Sequence, residues 1–171
     1  MEAEAFSDEN TTFIIASSST RETKTWGRRL GSMLEGGELL ALSGDLGAGK
    51  TCFIKGIARS LSLREENILS PTFTMIQEHR GRLPLYHIDL YRLNDVALDD
   101  LGLREYLFSD SIAAVEWYER LAEGGQINRL SVRISYAGAN SRRIEFIAVG
   151  ERYCALISKL RMSFSDLAGH P

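Results

Sequence analysis

Cysteine is scarce in this chain of 171 residues, with only Cys52 and Cys154, about a hundred positions apart and without metal-ligand spacing around either. That excludes a disulfide framework and an ordinary zinc site, and it fits a reducing compartment. No apolar run approaches the roughly 18 residues of a membrane span. Met1–Asn10 is acidic where a secretory signal carries a positive region and then an apolar one. The expectation is a soluble cytoplasmic protein with no membrane contact. Charge of one sign is lacking too: twenty Lys and Arg against twenty-three Asp and Glu leave a net −3, no overall field to hold a polyanion. Lysine itself is rare, since sixteen of the twenty basic residues are Arg and only Lys24, Lys50, Lys55 and Lys159 remain. What is present is ordinary globular composition, 44% hydrophobic and 25% charged. A single domain of this length buries roughly 70% of the surface its unfolded chain exposes, so it supports its own core.

Thr12 to Ala16 reads as a short strand. Ser19-Thr-Arg-Glu22 has the spacing of a capping box, and Trp26, Leu30, Met33 and Leu34 behind it recur at helical spacing until Gly36-Gly37. Leu39-Leu-Ala-Leu42 is too short for a helix and reads as a strand buried on both faces. After the glycine-rich Gly44 to Gly49, residues Phe53, Ile54, Ile57, Ala58 and Leu61 mark one helical face. Further along, Thr72–Gln77 and Leu83–Asp89 read as a hairpin, Asp95–Phe108 as a helix broken at Gly102, and Ile112–Glu116 as a second short buried strand. Two more strands, Leu130–Tyr136 and Arg143–Val149, precede a last helix over Tyr153–Met162. The expected organisation is one α/β domain over 12–162, between loose tails at 1–11 and 163–171, with a mixed, mainly parallel sheet flanked by helices and edged by antiparallel strands.

Gly44-Asp-Leu-Gly-Ala-Gly49-Lys50-Thr51 matches G-x-x-x-x-G-K-[ST], the phosphate-binding P-loop. The glycines let successive N–H groups turn inward around a phosphate, and the helix that follows presents its positive end. Lys50 is the candidate for the β- and γ-phosphates and Thr51 for Mg²⁺. A P-loop enzyme also needs an acid at the end of a neighbouring buried strand. Glu116 is the better candidate, because its strand is apolar on both faces; Asp89 is the second, against the plainer reading of a solvated or capping carboxylate. Thr72, after Ser70-Pro71, stands where a loop brings a hydroxyl to the γ-phosphate, or simply starts a strand. His87 alternates with Asp89 and reads by default as a structural histidine, and Trp117 as core or interface.

The P-loop, then Ser70-Pro-Thr-Phe-Thr74, His87-Ile-Asp-Leu-Tyr-Arg92, Leu101-Gly with Glu105-Tyr106, and Val115-Glu-Trp117, in that order, resemble the TsaE family, ATPases of tRNA threonylcarbamoyladenosine biosynthesis. The resemblance runs from about Thr12 to Gly150. It implies a P-loop NTPase-like fold and an ATP- and Mg²⁺-dependent subunit whose hydrolysis supports repeated turnover by a TsaB–TsaD pair, with tRNA reached indirectly through that complex. On matching positions it implies phosphate binding by Gly47, Ala48, Gly49, Lys50, Thr51 and the neighbouring Cys52, and Mg²⁺ binding by Thr51 and Glu116. It further implies hydrolytic roles for Asp89 and Thr72, and an adenine contact near Thr20–Thr23, Thr23 included. Cys52 stands where the family usually has a threonine, and Tyr118 where its E-W-P-E has a proline. The family's arginine ahead of the final strand matches Arg142 or Arg143.

A nucleotide or small-molecule kinase is the alternative; it needs lid arginines, and residues 119–128 offer only Arg120. A guanine-nucleotide switch needs N-K-x-D, and no lysine here follows an asparagine. Within 129–161, seven basic residues face only Glu145 and Glu151, a local +5 that leaves −8 for the remainder. That end reads as a solvated face, or as a docking surface for an acidic partner or tRNA. Oligomeric state is left open.

Overall fold

The computed structural model describes residues 11–168, with side chains as far as Phe164. In chain order the strands and helices are β1 (Thr12–Ser17), α1 (Thr20–Ser32), β2 (Leu39–Ser43), α2 (Lys50–Ser60), β3 (Ile76–Arg80), β4 (Pro84–Asp89), α3 (Leu103–Leu107), β5 (Ile112–Glu116), β6 (Arg129–Tyr136), β7 (Arg142–Val149) and α4 (Glu151–Ala168). All seven strands join one sheet in the order β1-β7-β6-β2-β5-β4-β3. Its centre, β6-β2-β5-β4, is parallel, and β7, β1 and β3 pair antiparallel at the edges.

The apolar run of β2 is explained by coverage of both faces. Leu40 and Leu42 enter one core with Trp26, Phe53, Ile57 and Phe146, under α1, α2 and α4. Leu39 and Ala41 point the other way, into a smaller core with Ile88, Leu103 and Val115. Alternation along a strand sends successive side chains to opposite faces, so a strand buried on both has to be apolar throughout.

Helix α1 starts as its capping box requires, with Glu22 N–H donating to the Ser19 hydroxyl at 3.2 Å. The return bonds go one residue further back: the Glu22 carboxylate accepts from Ser18 N–H and Oγ, at 2.8 and 2.7 Å, and these bonds hold its pKa below the ordinary value. α1 and α2 cross with almost nothing between them. A Cβ at Gly56 would stand 2.1 Å from Lys24 O and 2.9 Å from Arg28 N, so only glycine permits this approach. Gly56→Ala gains at most about 1 kcal/mol of helix propensity, but the contact is with backbone, which yields only if the helices separate. Overpacking of that kind costs roughly 1–3 kcal/mol or more. The expected net loss is about 2 kcal/mol, seen as a fall of about 4–8 °C in the thermal midpoint; an unchanged or higher midpoint would contradict the close crossing.

Four sequence expectations change. Residues 72–74 form a turn and not a strand: Met75 N–H closes it on Pro71 O at 2.6 Å, Met75 has φ 63°, and β3 starts at Ile76. Asp95–Phe108 is helical only from Asp100, as one 3-10 turn and then α3. Asp95 and Leu101 take left-handed backbone (φ 51° and 60°), and Val96 bridges in parallel to Leu121, which holds the segment open. α1 ends at Ser32, short of Glu35. α4 runs six residues past Met162, so the expected loose tail begins as helix, with the Phe164 ring tilted against Trp26 at 5.6 Å. The tail expected at 1–11 lies, apart from Thr11, outside the described residues, as do 169–171. No described helix is long and apolar enough to cross a membrane.

Candidate functional site

Register places the chemistry. In the parallel centre of the sheet Glu116 pairs with Leu42 on one side and with Asp89 on the other. The P-loop leaves β2 just beyond Leu42, so two carboxylates and the loop emerge side by side at the carboxyl ends of adjacent strands, the usual location of ligand sites in open α/β sheets. The loop's turns rest on glycine: Gly44 has φ 137°, and a Cβ there would lie 2.1 Å from Ile134 O. Gly47 (φ 77°) and Gly49 (φ 116°) continue the left-handed path into α2.

Lys50 folds back over this loop, its ammonium donating to Gly44 O at 2.6 Å and Asp45 O at 2.9 Å. It is 4% exposed. Burial pushes its pKa below the ordinary lysine value, while Glu116, Glu119, Asp89 and Asp45 pull it back. The Trp117 ring lies 3.9 Å from Nζ. Trp117 is carried there by left-handed backbone (φ 59°) immediately after β5.

Glu116 Oε1 accepts from Thr51 Oγ1 at 2.7 Å and from His87 Nε2 at 2.8 Å. As a carboxylate it can only accept, which puts the imidazole proton on Nε2; Nδ1 of the fully buried His87 then has no partner. Asp89 is equally occupied: Oδ2 accepts from Ser70 Oγ at 2.5 Å and Thr72 Oγ1 at 2.8 Å, and Oδ1 from Tyr91 N–H at 2.8 Å. The Ser70 and Thr72 bonds bend the 70–75 segment across the strand end, which is why residues 72–74 turn instead of pairing.

Lys50, Thr51, Thr72, Asp89 and Glu116 therefore line one cavity of about 470 Å³, with Phe73 at its rim. A second cavity of about 470 Å³, lined by Ser18, Thr20, Arg21, Thr23, Ala48 and Arg142, shares Gly47, Gly49 and Cys52 with the first. Thr23 is on its wall, but its hydroxyl is turned inward to Ser17 Oγ at 2.8 Å, leaving a methyl for any ligand. Cys52 lies between the cavities with its thiol pKa raised by burial. A larger cavity, about 600 Å³, opens at the opposite, amino end of the parallel strands between Gly37, Phe108, Asn128 and Arg152. Convergence of donors, and not size, marks the P-loop face.

Sequence reasoning missed Tyr136 and left Arg142 and Arg143 as alternatives. Tyr136 OH donates to Leu46 O at 3.0 Å and Arg142 Nε to Ala48 O at 2.9 Å, so the β6–β7 hairpin braces the P-loop from outside. The Arg142 guanidinium also lies over the Tyr136 ring, 4.3 Å from its centroid. Arg143 instead pairs with Glu145 at 3.3 Å, and it is Arg142 that lines the second cavity. Tyr118 anchors the chain after Glu116 through its hydroxyl, which donates to Gly124 O at 3.0 Å; burial pushes its pKa up to about 12. A pinned side chain thus stiffens the segment where the family has a proline.

Among the described residues no three His, Cys, Asp or Glu side chains form a ready-made metal cage. Thr51 and Glu116 offer two hard oxygen donors 2.7 Å apart. That set fits Mg²⁺, which keeps several waters and is usually bound by one or two carboxylates together with substrate phosphates.

The family model described as "Threonylcarbamoyl adenosine biosynthesis protein TsaE" matches residues 17–144, from the end of β1 into β7. The chain belongs to the TsaE family. The tRNA threonylcarbamoyladenosine biosynthesis protein TsaE of Bacillus subtilis (strain 168) is 44% identical over 140 residues, 81% of this chain and 87% of that protein. The protein of the same name from Treponema pallidum (strain Nichols) is 45% identical over 107 residues, 62% of this chain and 78% of that one. A crystal structure of Bacillus subtilis YdiB superimposes with a TM-score of 0.74 at 36% identity, covering 89% of this chain and 95% of the other. The TsaE match contains every residue of the P-loop site from Thr23 to Arg142.

Proposed function

We propose that this protein binds ATP with Mg²⁺ on its P-loop and hydrolyses it, and that hydrolysis supports repeated threonylcarbamoyl transfer to the adenosine beside the tRNA anticodon by a TsaB–TsaD pair. The supporting observation is the convergence of Lys50, Thr51, Glu116 and Asp89 at the ends of adjacent parallel strands, in a chain of a tRNA threonylcarbamoyladenosine family.

The loop N–H groups from Gly47 to Thr51 take the phosphates, and Lys50 exchanges its bonds to Gly44 O and Asp45 O for bonds to the β- and γ-phosphate oxygens. The base side of the nucleotide occupies the cavity along Thr20, Thr23 and Arg142. Thr51 and Glu116 hold the Mg²⁺ that arrives with ATP, which supplies neutralisation of the phosphate charge. Asp89 orients the attacking water, and Thr72, released from Asp89, turns its hydroxyl to the γ-phosphate. His87 is a positioning residue that fixes the Glu116 carboxylate through Nε2.

His87→Leu is expected to lower turnover about 10–100-fold, the usual effect of losing an outer-shell partner, with little change in nucleotide affinity. His87→Gln keeps a donor at similar reach and should recover part of the rate. Equal rates in both variants would remove the positioning role.

The reading as a whole is tested by measuring ATP hydrolysis with this protein, TsaB–TsaD and tRNA, each omitted in turn. Hydrolysis should depend on TsaB–TsaD; a rate indifferent to that pair would contradict the partnership. A phosphorylated metabolite would favour the kinase alternative, although Arg120, the one arginine of its lid region, is held by Leu93 O at 2.7 Å and lies against Trp117.

A further inference from the structure

The close crossing of α1 and α2 gathers cations that are far apart in sequence. On α1, Arg21, Lys24 and Arg28 follow the i, i+3, i+7 spacing of one helical face and span about 10 Å. Lys55 and Arg59 lie one turn apart on α2, on either side of Gly56, whose backbone abuts α1 between Lys24 and Arg28. Between the helices is a groove of about 550 Å³ lined by Thr20, Arg21, Lys24, Thr25, Arg28 and Arg59.

Little neutralises it. Among the described residues Glu65 is the one carboxylate that pairs there, with Lys24 at 3.1 Å and Arg59 at 3.7 Å, and Glu22 is turned back to Ser18. Among the described residues Arg21, Arg28 and Lys55 form no ion pair. The basic C-terminal third behaves differently, with Arg152 on Glu38 and both Arg133 and Arg143 on Glu145.

We infer that the α1–α2 groove is a binding surface for the phosphodiester backbone of RNA. Arginine, lysine and threonine side chains are the usual donors to phosphate oxygens, and every side chain lining the groove is one of these. An acidic protein segment is less suited, because protein interfaces centre on apolar and aromatic anchors and deplete charge at their core. The groove also runs into the nucleotide cavity, since Thr20 and Arg21 line both. RNA held here would lie along the edge of the nucleotide site and outside it. The surface is separate from ATP hydrolysis, so its failure leaves the proposed function standing.

The test is fluorescence anisotropy of a labelled, unmodified tRNA transcript with the full chain alone, across a salt series. Wild-type binding should weaken steeply as salt rises. Arg28→Glu/Arg59→Glu should bind at least about tenfold more weakly, with the log–log salt slope shallower by about 1.5, as expected when two phosphate contacts are lost. Arg133→Glu/Arg143→Glu, in the compensated region, should bind like wild type, and thermal unfolding of both variants checks that they fold. Unchanged binding by Arg28→Glu/Arg59→Glu, or loss confined to Arg133→Glu/Arg143→Glu, would overturn the inference. So would a groove variant that binds RNA normally but no longer associates with TsaB–TsaD, which would reassign the surface to a protein partner.

Discussion

Lys50→Ala is expected to abolish ATP binding at concentrations where the wild type saturates, as read by titration calorimetry. The ammonium is almost fully buried and already desolvated. It therefore pays little further dehydration when phosphate oxygens replace the carbonyls of Gly44 and Asp45. Charge-assisted hydrogen bonds of this kind are worth about 1.5–3 kcal/mol each, so losing two weakens binding by about 10²–10⁴-fold. No other lysine or arginine reaches the same point, because Arg142 and Arg120 are held by backbone carbonyls elsewhere. Near-normal affinity in Lys50→Ala would mean that the nucleotide does not lie on this loop.

Glu116→Gln should separate binding from hydrolysis. The amide keeps the shape of the side chain, and its oxygen can still accept from Thr51 and His87, so the strand end need not move. What it loses is the negative charge facing Thr51. Affinity for ATP should stay within a few-fold of wild type while Mg²⁺-dependent turnover falls by about 10²–10³-fold, the size expected when a catalytic site loses one metal-linked or proton-handling group. Full Mg²⁺-dependent turnover in this variant would show that Glu116 is not the metal residue and would move that role to Asp89.

Much of the site was legible because its signals are local. The apolar run of β2, the glycines after it and the periodic face of α2 each lie within a few residues, and β5 ends in its acid just as abruptly. Misreadings arose where a distant partner overrides a local pattern. Thr72 alternates like a strand residue, but its hydroxyl and that of Ser70 are drawn to Asp89, and the chain turns. Asp95 and Leu101 adopt left-handed backbone that no glycine announces, and the helix expected there is reduced to α3. Tyr136 and Arg142 reach the P-loop only because β7 folds back antiparallel on β6, beside β2.

Charge shows the same limit most clearly. The seven basic residues of 129–161 looked like a positive end, yet several are matched by Glu38, Glu145 and Glu35. The cations of the α1–α2 groove come from two segments that merge only at the Gly56 crossing. The scarcity of lysine acquires a meaning from this geometry. Of the four, Lys24 and Lys55 flank the groove, Lys50 holds the loop, and Lys159 alone is away from both, paired with Glu35.

On the proposed reading, ATP hydrolysis on this P-loop lets the transferase turn over repeatedly. That reading is tested most directly by counting modified tRNA molecules formed per TsaB–TsaD pair in the presence of ATP, with wild-type protein, with Lys50→Ala and with neither. Wild type should give product well in excess of the transferase, and Lys50→Ala or no added protein should give arrest after a single round. Equal yields in all three reactions would contradict it.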